Sequence, residues 1–189
     1  HYINFNLDLK LPNMWMHFPI EFAFLFSEKL AFWHSDLLCS EKDMKKYAII
    51  FSKLKQGEMA AVKHTHGFLG LKDRAKNHYG ELIGCTTRMA SDSQFKHGCG
   101  WWRKIEDHPN FRTEDHPKDK YYYEHGKGIW VWDKVYNGKI KSLRVNEKDG
   151  HCTAYLKNLP KRSSKSEELK EQCDIRIMAK NLGIEHLLK

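Results

Sequence analysis

Residues 54–62, LKQGEMAAV, hold the pattern on which the fold depends, a polar turn followed directly by an apolar run. The turn closes on Gly57, and the short run Met59–Val62 is typical of a buried strand. Just before it, residues 40–51 place apolar side chains at three- and four-residue spacing, which predicts a helix with Ser40 as its N-cap. The chain therefore passes from a helix through a turn into a strand.

Further strand candidates flank this stretch. Residues 14–32 are rich in aromatic and aliphatic side chains, which favours a buried strand, or a short strand and a helix. The other candidates are Tyr79–Thr86, interrupted by Gly84, then Trp101–Ile105, Gly128–Tyr136 and Ile140–Val145. The dipeptide Asn137-Gly138 is typical of a tight hairpin turn, so it predicts that Ile129–Val135 pairs with Ile140–Val145. The middle of the chain is thus expected to be mostly short strands.

The last part of the chain has a different pattern. Ser164 and Glu167 have the spacing of a capping box, and the apolar residues after them suit a helix that ends at Gly183. We therefore predict an α+β domain over residues 1–160 and a helical tail over residues 161–189.

Composition restricts the class of protein. Hydrophobic residues make up 41% and charged residues 30% of the 189, which is the balance of a folded chain. Lys and Arg number 32 against 24 Asp and Glu, and the resulting net charge of +8 attracts polyanions. Charge alone leaves two interpretations equally open, a nucleic-acid partner and a basic protein kept soluble by its charge.

Cysteine spacing and hydropathy bear on the compartment. The five cysteines are scattered without a C-x-x-C pair, so neither a disulfide framework nor a zinc ribbon is indicated. The start of the chain has no basic leader followed by an apolar stretch, and its longest apolar run, Phe22–Phe26, is far too short to span a membrane. We expect a cytoplasmic protein with no membrane partner.

Aromatic and basic residues alternate at several places in the chain. Trp33 stands beside His34 and Ser35, and the pair Trp101-Trp102 is followed by Arg103 and Lys104. A second group comprises Tyr121, Tyr122, Tyr123, Trp130 and Trp132, close to Lys118, Lys120 and Lys127. Bases stack on aromatic rings while cations hold the phosphates, although at least half of these rings are expected in the core. The pattern favours nucleic-acid binding over the alternative of a protein-interaction domain.

Two groups of residues could instead bind a metal. The segment Glu-Asp-His-Pro occurs at 106–109 and again at 114–117, and with His125 it supplies ligands used by hydrolytic nucleases. His64 and His66 would share one face of a strand. The alternative function is therefore a metal-dependent nuclease that uses Asp107, His108, Asp115 and His116.

The sequence nevertheless favours a binding module over an enzyme. The duplicated segment carries two prolines and has no strand or helix pattern that would hold metal ligands rigidly. A phosphate-binding glycine loop, a G-x-S-x-G elbow and an H-E-x-x-H pattern are all missing from the sequence. We expect no cofactor, no bound metal and no catalytic residue.

The order of several segments resembles a known superfamily. The order of five segments is similar to that in the EVE and YTH domains of the PUA-like superfamily. These segments are residues 29–36 (KLAFWHSD), the helix to Phe51, residues 54–62, residues 80–84 (GELIG) and residues 101–105 (WWRKI). The chain differs in having Glu58 where an Asp is usual, and a long segment between His64 and His78. The resemblance covers residues 29–105 and implies a curved β-barrel with flanking helices.

The resemblance also implies a function and a set of site residues. Such domains take a flipped, modified base, often methylated, into an aromatic cage, and EVE-like domains look like the DNA-reading modules of modification-dependent restriction systems. DNA is then the expected partner rather than RNA, with an effector domain or subunit outside this chain. By position, the base-binding residues would be Trp33, His34, Ser35, Trp101 and Trp102, and the phosphate contacts Lys63, His64, Arg103 and Lys104.

Overall fold

The computed structural model describes residues 17–34, 37–63, 78–102, 105, 108–112, 126–145 and 175–188. It confirms the α+β class. The chain divides into two compact units, one formed by His1–Phe32 with Leu54–Leu143 and the other by Trp33–Lys53 with Arg144–Lys189. The predicted domain boundary at residue 160 lies outside the described residues.

The described elements comprise five α-helices, four strands and one 3-10 turn. In chain order they are α1 (His17–Ala23), β1 (Lys29–Trp33), α2 (Glu41–Ser52), β2 (Glu58–Lys63), β3 (Tyr79–Thr87), α3 (Arg88–Lys96), α4 (Lys127–Val135), β4 (Lys139–Leu143), α5 (Ile175–Asn181) and a 3-10 turn at Glu185–Leu187. Within the described ranges the longest helix, α2, has 12 residues, and no helix is long and apolar enough to cross a bilayer.

The strands form one mixed sheet in the order β1-β3-β2-β4. β2 runs antiparallel to β3 and parallel to β4, with a register irregularity between Ala61 and Val62. Both the predicted strand at 59–62 and the predicted strand at 79–86 are confirmed, and Gly84 lies within β3 rather than interrupting it. Among the described residues β1 and β4 are edge strands, so the sheet is open and does not close into the expected barrel.

The predicted hairpin at Asn137-Gly138 is wrong. Residues 127–135 form the helix α4, and β4 pairs in parallel with β2. Asn137 adopts a left-handed φ of 54°, and the Gly138 N–H donates to the Trp132 carbonyl at 2.9 Å. Asn is tolerated in this conformation just after a helix as well as in a hairpin turn, so the same dipeptide ends a helix here.

The predicted strand at 101–105 is also wrong. Trp101 and Trp102 lie in irregular backbone, and Ile105 has 3-10 geometry. The apolar side chains of this segment are nevertheless buried, which is the feature that resembled a strand in the sequence. Burial therefore does not require a place in the sheet, since Trp101 is covered by tertiary contacts such as its ring contact with Phe32 of β1.

The core of the first unit lies between the sheet and its helices. It comprises Ile20, Phe24, Met59, Ala61, Tyr79, Ala90, Cys99, Trp101, Ile105, Ile129, Val131 and Trp132. Tyr79 begins β3 and donates its hydroxyl proton to Asp133 of α4 at 2.7 Å. The Trp132 indole N–H donates to the Ser93 hydroxyl of α3 at 3.1 Å. These contacts fix α3 and α4 on the sheet.

The second unit contains the confirmed helix α2. Ser40 has extended backbone, and its hydroxyl accepts a hydrogen bond from the Asp43 N–H at 3.2 Å, as an N-cap does. Helix α5 ends as predicted at Gly183, where the Ile184 N–H donates to the Ala179 carbonyl at 2.9 Å across a left-handed glycine. The predicted capping box at Ser164 and Glu167 lies outside the described residues.

Candidate functional site: an aromatic cleft between two helices

The two neighbouring tryptophans have different environments. Trp101 is 1% exposed and packs its ring edge to face with Phe32 at a centroid distance of 5.4 Å. A ring enclosed in this way cannot stack on a ligand without opening the core. Trp102 is 8% exposed and belongs to a separate group of rings. Trp102 is thus also buried, but it packs among different rings from Trp101.

Four rings come together around Trp102, and we call them the aromatic quartet: His17, Phe95, Trp102 and His108. The ring centroid of Trp102 lies 5.5 Å from His17 and 4.8 Å from His108. Phe95 stacks on His17 at 5.5 Å and 14°, and it meets His108 at 4.9 Å. Such offset and tilted contacts between rings are favourable geometries for aromatic groups.

An open cleft of about 430 Å³ lies beside the quartet, and we call it the α1–α3 cleft. It is lined by His17, Phe18, Glu21, Asp92, Phe95 and Lys96. The lining follows from helical spacing, because residues four apart on α1 and three to four apart on α3 share one face of each helix. Two short helices thus bring three aromatic rings, two carboxylates and one amine to one cleft.

Two buried nitrogens of the quartet have no hydrogen-bond partner within the described part of the chain, the indole Nε1 of Trp102 and the Nε2 of His17. The nearest carboxylate oxygen to His17 Nε2, on Glu21, lies 4.0 Å away, which is beyond hydrogen-bond length. Leaving such a group unsatisfied costs about 1–3 kcal/mol, so buried orphan nitrogens at a cleft indicate a place for water or a ligand.

Neighbouring hydrogen bonds hold the other polar groups of the site in place. The Ser91 hydroxyl donates a short hydrogen bond to the Glu21 carboxylate, which fixes that carboxylate against α3. The Nδ1 of His108 accepts from the Asn110 N–H at 3.0 Å, so the neutral ring of His108 carries its proton on Nε2. Both interactions orient side chains that border the quartet or the cleft.

Burial should make the first unit sensitive to acid through His17. It lowers the pKa of His17 to about 4, whereas an unfolded histidine titrates near 6.5. The unfolded chain takes up this proton first as the pH falls, so we expect His17 to reduce the free energy of unfolding by about 3 kcal/mol between neutral pH and pH 4.

Denaturant titrations across this pH window measure the effect. The His17→Gln variant has no titrating group at this position, so its stability should fall less steeply with acid than that of the native chain. Parallel slopes for the two proteins would show that His17 is not held neutral by burial.

The remaining predicted site residues are spread over the chain. Trp33 belongs to the second unit, is 40% exposed, and donates its indole N–H to the Leu37 carbonyl at 2.9 Å. His34 is half-buried, and Lys63 is exposed at the end of β2. The others, Ser35, His64, Arg103 and Lys104, lie outside the described residues. The structure therefore does not bring Trp33 and Trp102 together within one described unit.

The residues predicted for a metal-dependent nuclease are mostly undescribed. His108 is 3% exposed and packs against the other rings of the quartet. The residues that lie outside the described part of the chain are Asp107, Asp115, His116, His64, His66 and His125. Among the residues that are described, no group of three or more His, Cys, Asp or Glu side chains could hold a metal ion. The nuclease alternative stays a prediction.

Sequence reasoning missed most of the cleft. The sequence predicts a buried strand, or a short strand and a helix, over residues 14–32, and it predicts no element over residues 88–96. Helical spacing places His17 and Glu21 on one face of a helix. It likewise places Asp92, Phe95 and Lys96 on one face of another helix. The spacing does not indicate that the two faces meet.

Comparison with protein-family models, with curated protein sequences and with solved structures gives no match. The similarity to EVE and YTH domains therefore stays a prediction from sequence order.

Proposed function

We propose that this chain binds nucleic acid and reads a modified, methylated base in the α1–α3 cleft, as the DNA-recognition module of a modification-dependent restriction system. The observation that carries the proposal is the aromatic quartet beside an open cleft. The restriction context, the preference for DNA over RNA and a PUA-like relationship rest on sequence order alone. In this proposal the chain acts as a binding module.

The size and walls of the cleft suit a single base. A cleft of about 430 Å³ falls in the range of small-ligand sites. Flipping a base out of a stack costs a few kcal/mol, and stacking on an aromatic ring returns about 1–3 kcal/mol per base. A methyl group adds apolar area that prefers an aromatic wall to water. The exposed ring of Phe95 is the wall that a base can reach most directly.

Charge supports a nucleic-acid partner. The net charge of +8 favours encounter with a polyanion, and Lys96 lies at the cleft, where its amine can contact a phosphate next to the bound base. We retain Lys63, His64, Arg103 and Lys104 as proposed phosphate contacts. The base contacts predicted at Trp33, His34 and Ser35 stay predictions from sequence order and are not part of the proposed cleft, whereas Trp102 and His108 pack against His17, which lines it.

Replacing Phe95 tests the cage without removing a core residue. We expect Phe95→Ala to weaken binding of an oligonucleotide with one methylated base by roughly 5- to 100-fold, because one stacking surface is lost. Binding to the unmodified oligonucleotide should remain weak and salt-sensitive. Fluorescence anisotropy with methylated and plain DNA and RNA at two salt concentrations measures both quantities.

Phe26→Ala is the matched control, since Phe26 is an exposed phenylalanine of the same unit that does not line the cleft. It should leave both affinities unchanged. Equal loss of methylated and plain binding in Phe95→Ala would refute the cage. Absence of any nucleic-acid binding by the native chain at low salt would refute the whole proposal and favour a protein-interaction domain.

A further inference from the structure

The cleft combines aromatic walls with negative charge in a protein that is positively charged as a whole. Phe18 and Phe95 supply ring faces, and Glu21 and Asp92 supply carboxylates. The amine of Lys96 offsets only one of the two carboxylates. Aromatic rings together with carboxylates are the combination that attracts an organic cation, through the negative face of the ring and through direct charge attraction.

We propose that the modified base taken by this cleft is one that methylation has made positively charged, such as 1-methyladenine or 3-methylcytosine. This inference rests on the proposed function and specifies its substrate class. In both bases the methyl group is on a ring nitrogen, so the ring carries a formal positive charge at neutral pH. The exocyclic nitrogen of each base then acts as a hydrogen-bond donor.

The buried imidazole of His17 is an independent observation that fits such a base. His17 is 3% exposed and lines the cleft, and its Nε2 has no hydrogen-bond partner among the described residues. In the tautomer that carries its proton on Nδ1, this Nε2 is an acceptor and can receive the exocyclic N–H of the bound base. Burial also disfavours protonation of the ring, so His17 adds no positive charge that would repel a cation.

The two carboxylates and the amine then have separate roles. Glu21 is held by the Ser91 hydroxyl and faces the same cleft as His17, which places one negative charge beside the base. Asp92 and Lys96 lie one helical turn apart on α3. Asp92 adds to the attraction for the base, and Lys96 contacts its phosphate, which is the only part of such a nucleotide that is negative.

Two isomeric bases allow a direct test on the native chain. Single-stranded oligonucleotides of one sequence carry a central adenine, N6-methyladenine or 1-methyladenine, and their affinities are compared in one assay. The two methylated bases have the same heavy atoms, and 1-methyladenine carries one more proton and hence a positive charge, so apolar area does not distinguish them. We expect 1-methyladenine to bind roughly tenfold more tightly than N6-methyladenine.

The carboxylates are tested by a double variant. Glu21→Gln with Asp92→Asn should bring the ratio between the two isomers close to one, whereas Phe95→Ala should weaken the binding of both. The matched control is Glu41→Gln with Glu185→Gln, which removes two negative charges from exposed residues of the second unit. It should leave the ratio of the two affinities unchanged.

The outcomes separate the two proposals. Tighter or equal binding of N6-methyladenine overturns the charged-base inference, while the proposed function stands as long as a methylated base is preferred to plain adenine. An unchanged ratio in the carboxylate variant also overturns the inference. Equal affinity for all three oligonucleotides also overturns the inference, whereas no binding of any of them or of other DNA and RNA at low salt overturns the proposed function itself. The native-chain comparison decides the matter even if the double variant does not fold.

Discussion

Replacing Trp101 by alanine should lower the free energy of unfolding by about 3–5 kcal/mol, the usual range for a buried tryptophan. The ring is 1% exposed and packs against Phe32 within the core of the first unit, so its removal leaves a cavity that the surrounding side chains cannot fill. Domains of this size have a total stability of about 5–15 kcal/mol, so this variant approaches unfolding at ambient temperature. Urea denaturation followed by circular dichroism measures the loss.

Trp33→Ala is the matched control. Trp33 is 40% exposed and makes one hydrogen bond through its indole, so its removal should cost only about 0.5–1.5 kcal/mol for that bond, plus a small packing loss. A similar loss of stability in both variants would show that Trp101 is not a core residue. The comparison is also a control for the binding experiments, because reduced binding by Trp101→Ala would reflect unfolding rather than a lost contact with a base.

Gly126→Ala should destabilise the first unit by about 3 kcal/mol or more. A Cβ at this position would overlap the backbone carbonyl of Tyr79, where the Tyr79 N–H already donates to the Gly126 carbonyl at 3.1 Å. Neither partner is a flexible side chain, so the overlap can be relieved only by moving the start of β3 away from α4. Thermal unfolding of the variant and the native chain measures the effect.

Gly57→Ala provides the control for this substitution. A Cβ at Gly57 meets no atom within 4 Å, but the residue has a φ of +84°, which costs a non-glycine residue about 1–2 kcal/mol. The expected order of stability is therefore native, then Gly57→Ala, then Gly126→Ala. If Gly126→Ala proves as stable as Gly57→Ala, α4 and β3 do not approach each other as closely as described.

The largest difference between sequence and structure concerns residues 127–145. Their β-branched and aromatic residues, followed by Asn137-Gly138, predicted a hairpin, and in a strand Trp130 and Trp132 would share one face. In the helix α4, residues two positions apart point about 200° away from each other. Trp132 is accordingly buried, while Trp130 is half-buried beneath the Lys127 amine at 4.9 Å. Local preference was overridden by packing of this segment on α3 and the sheet.

The candidate site was predicted only in its type. Alternating aromatic and basic residues predicted an aromatic pocket; Trp102 belongs to the aromatic quartet, whereas Trp101 is a residue of the hydrophobic core. His17, Phe95 and Glu21 were not predicted to contribute to a site. Phe95 is more than 70 residues away from His17 and Glu21 along the chain, and nothing local to α1 or α3 indicates which other helix each will face.

The sequence by itself determined the short-range features of this protein. These features depend on residues a few positions apart, whose φ preferences, hydrogen bonds and spacing are local. They are the turn at Gly57, the strand after it, the Ser40 cap of α2 and the end of α5 near Gly183. Tertiary structure alone decided that β4 pairs in parallel with β2, that residues 127–135 are helical, and that α1 and α3 enclose an aromatic cleft. These outcomes depend on contacts between distant segments, and the free energy of burying their apolar faces exceeds the small differences in local preference.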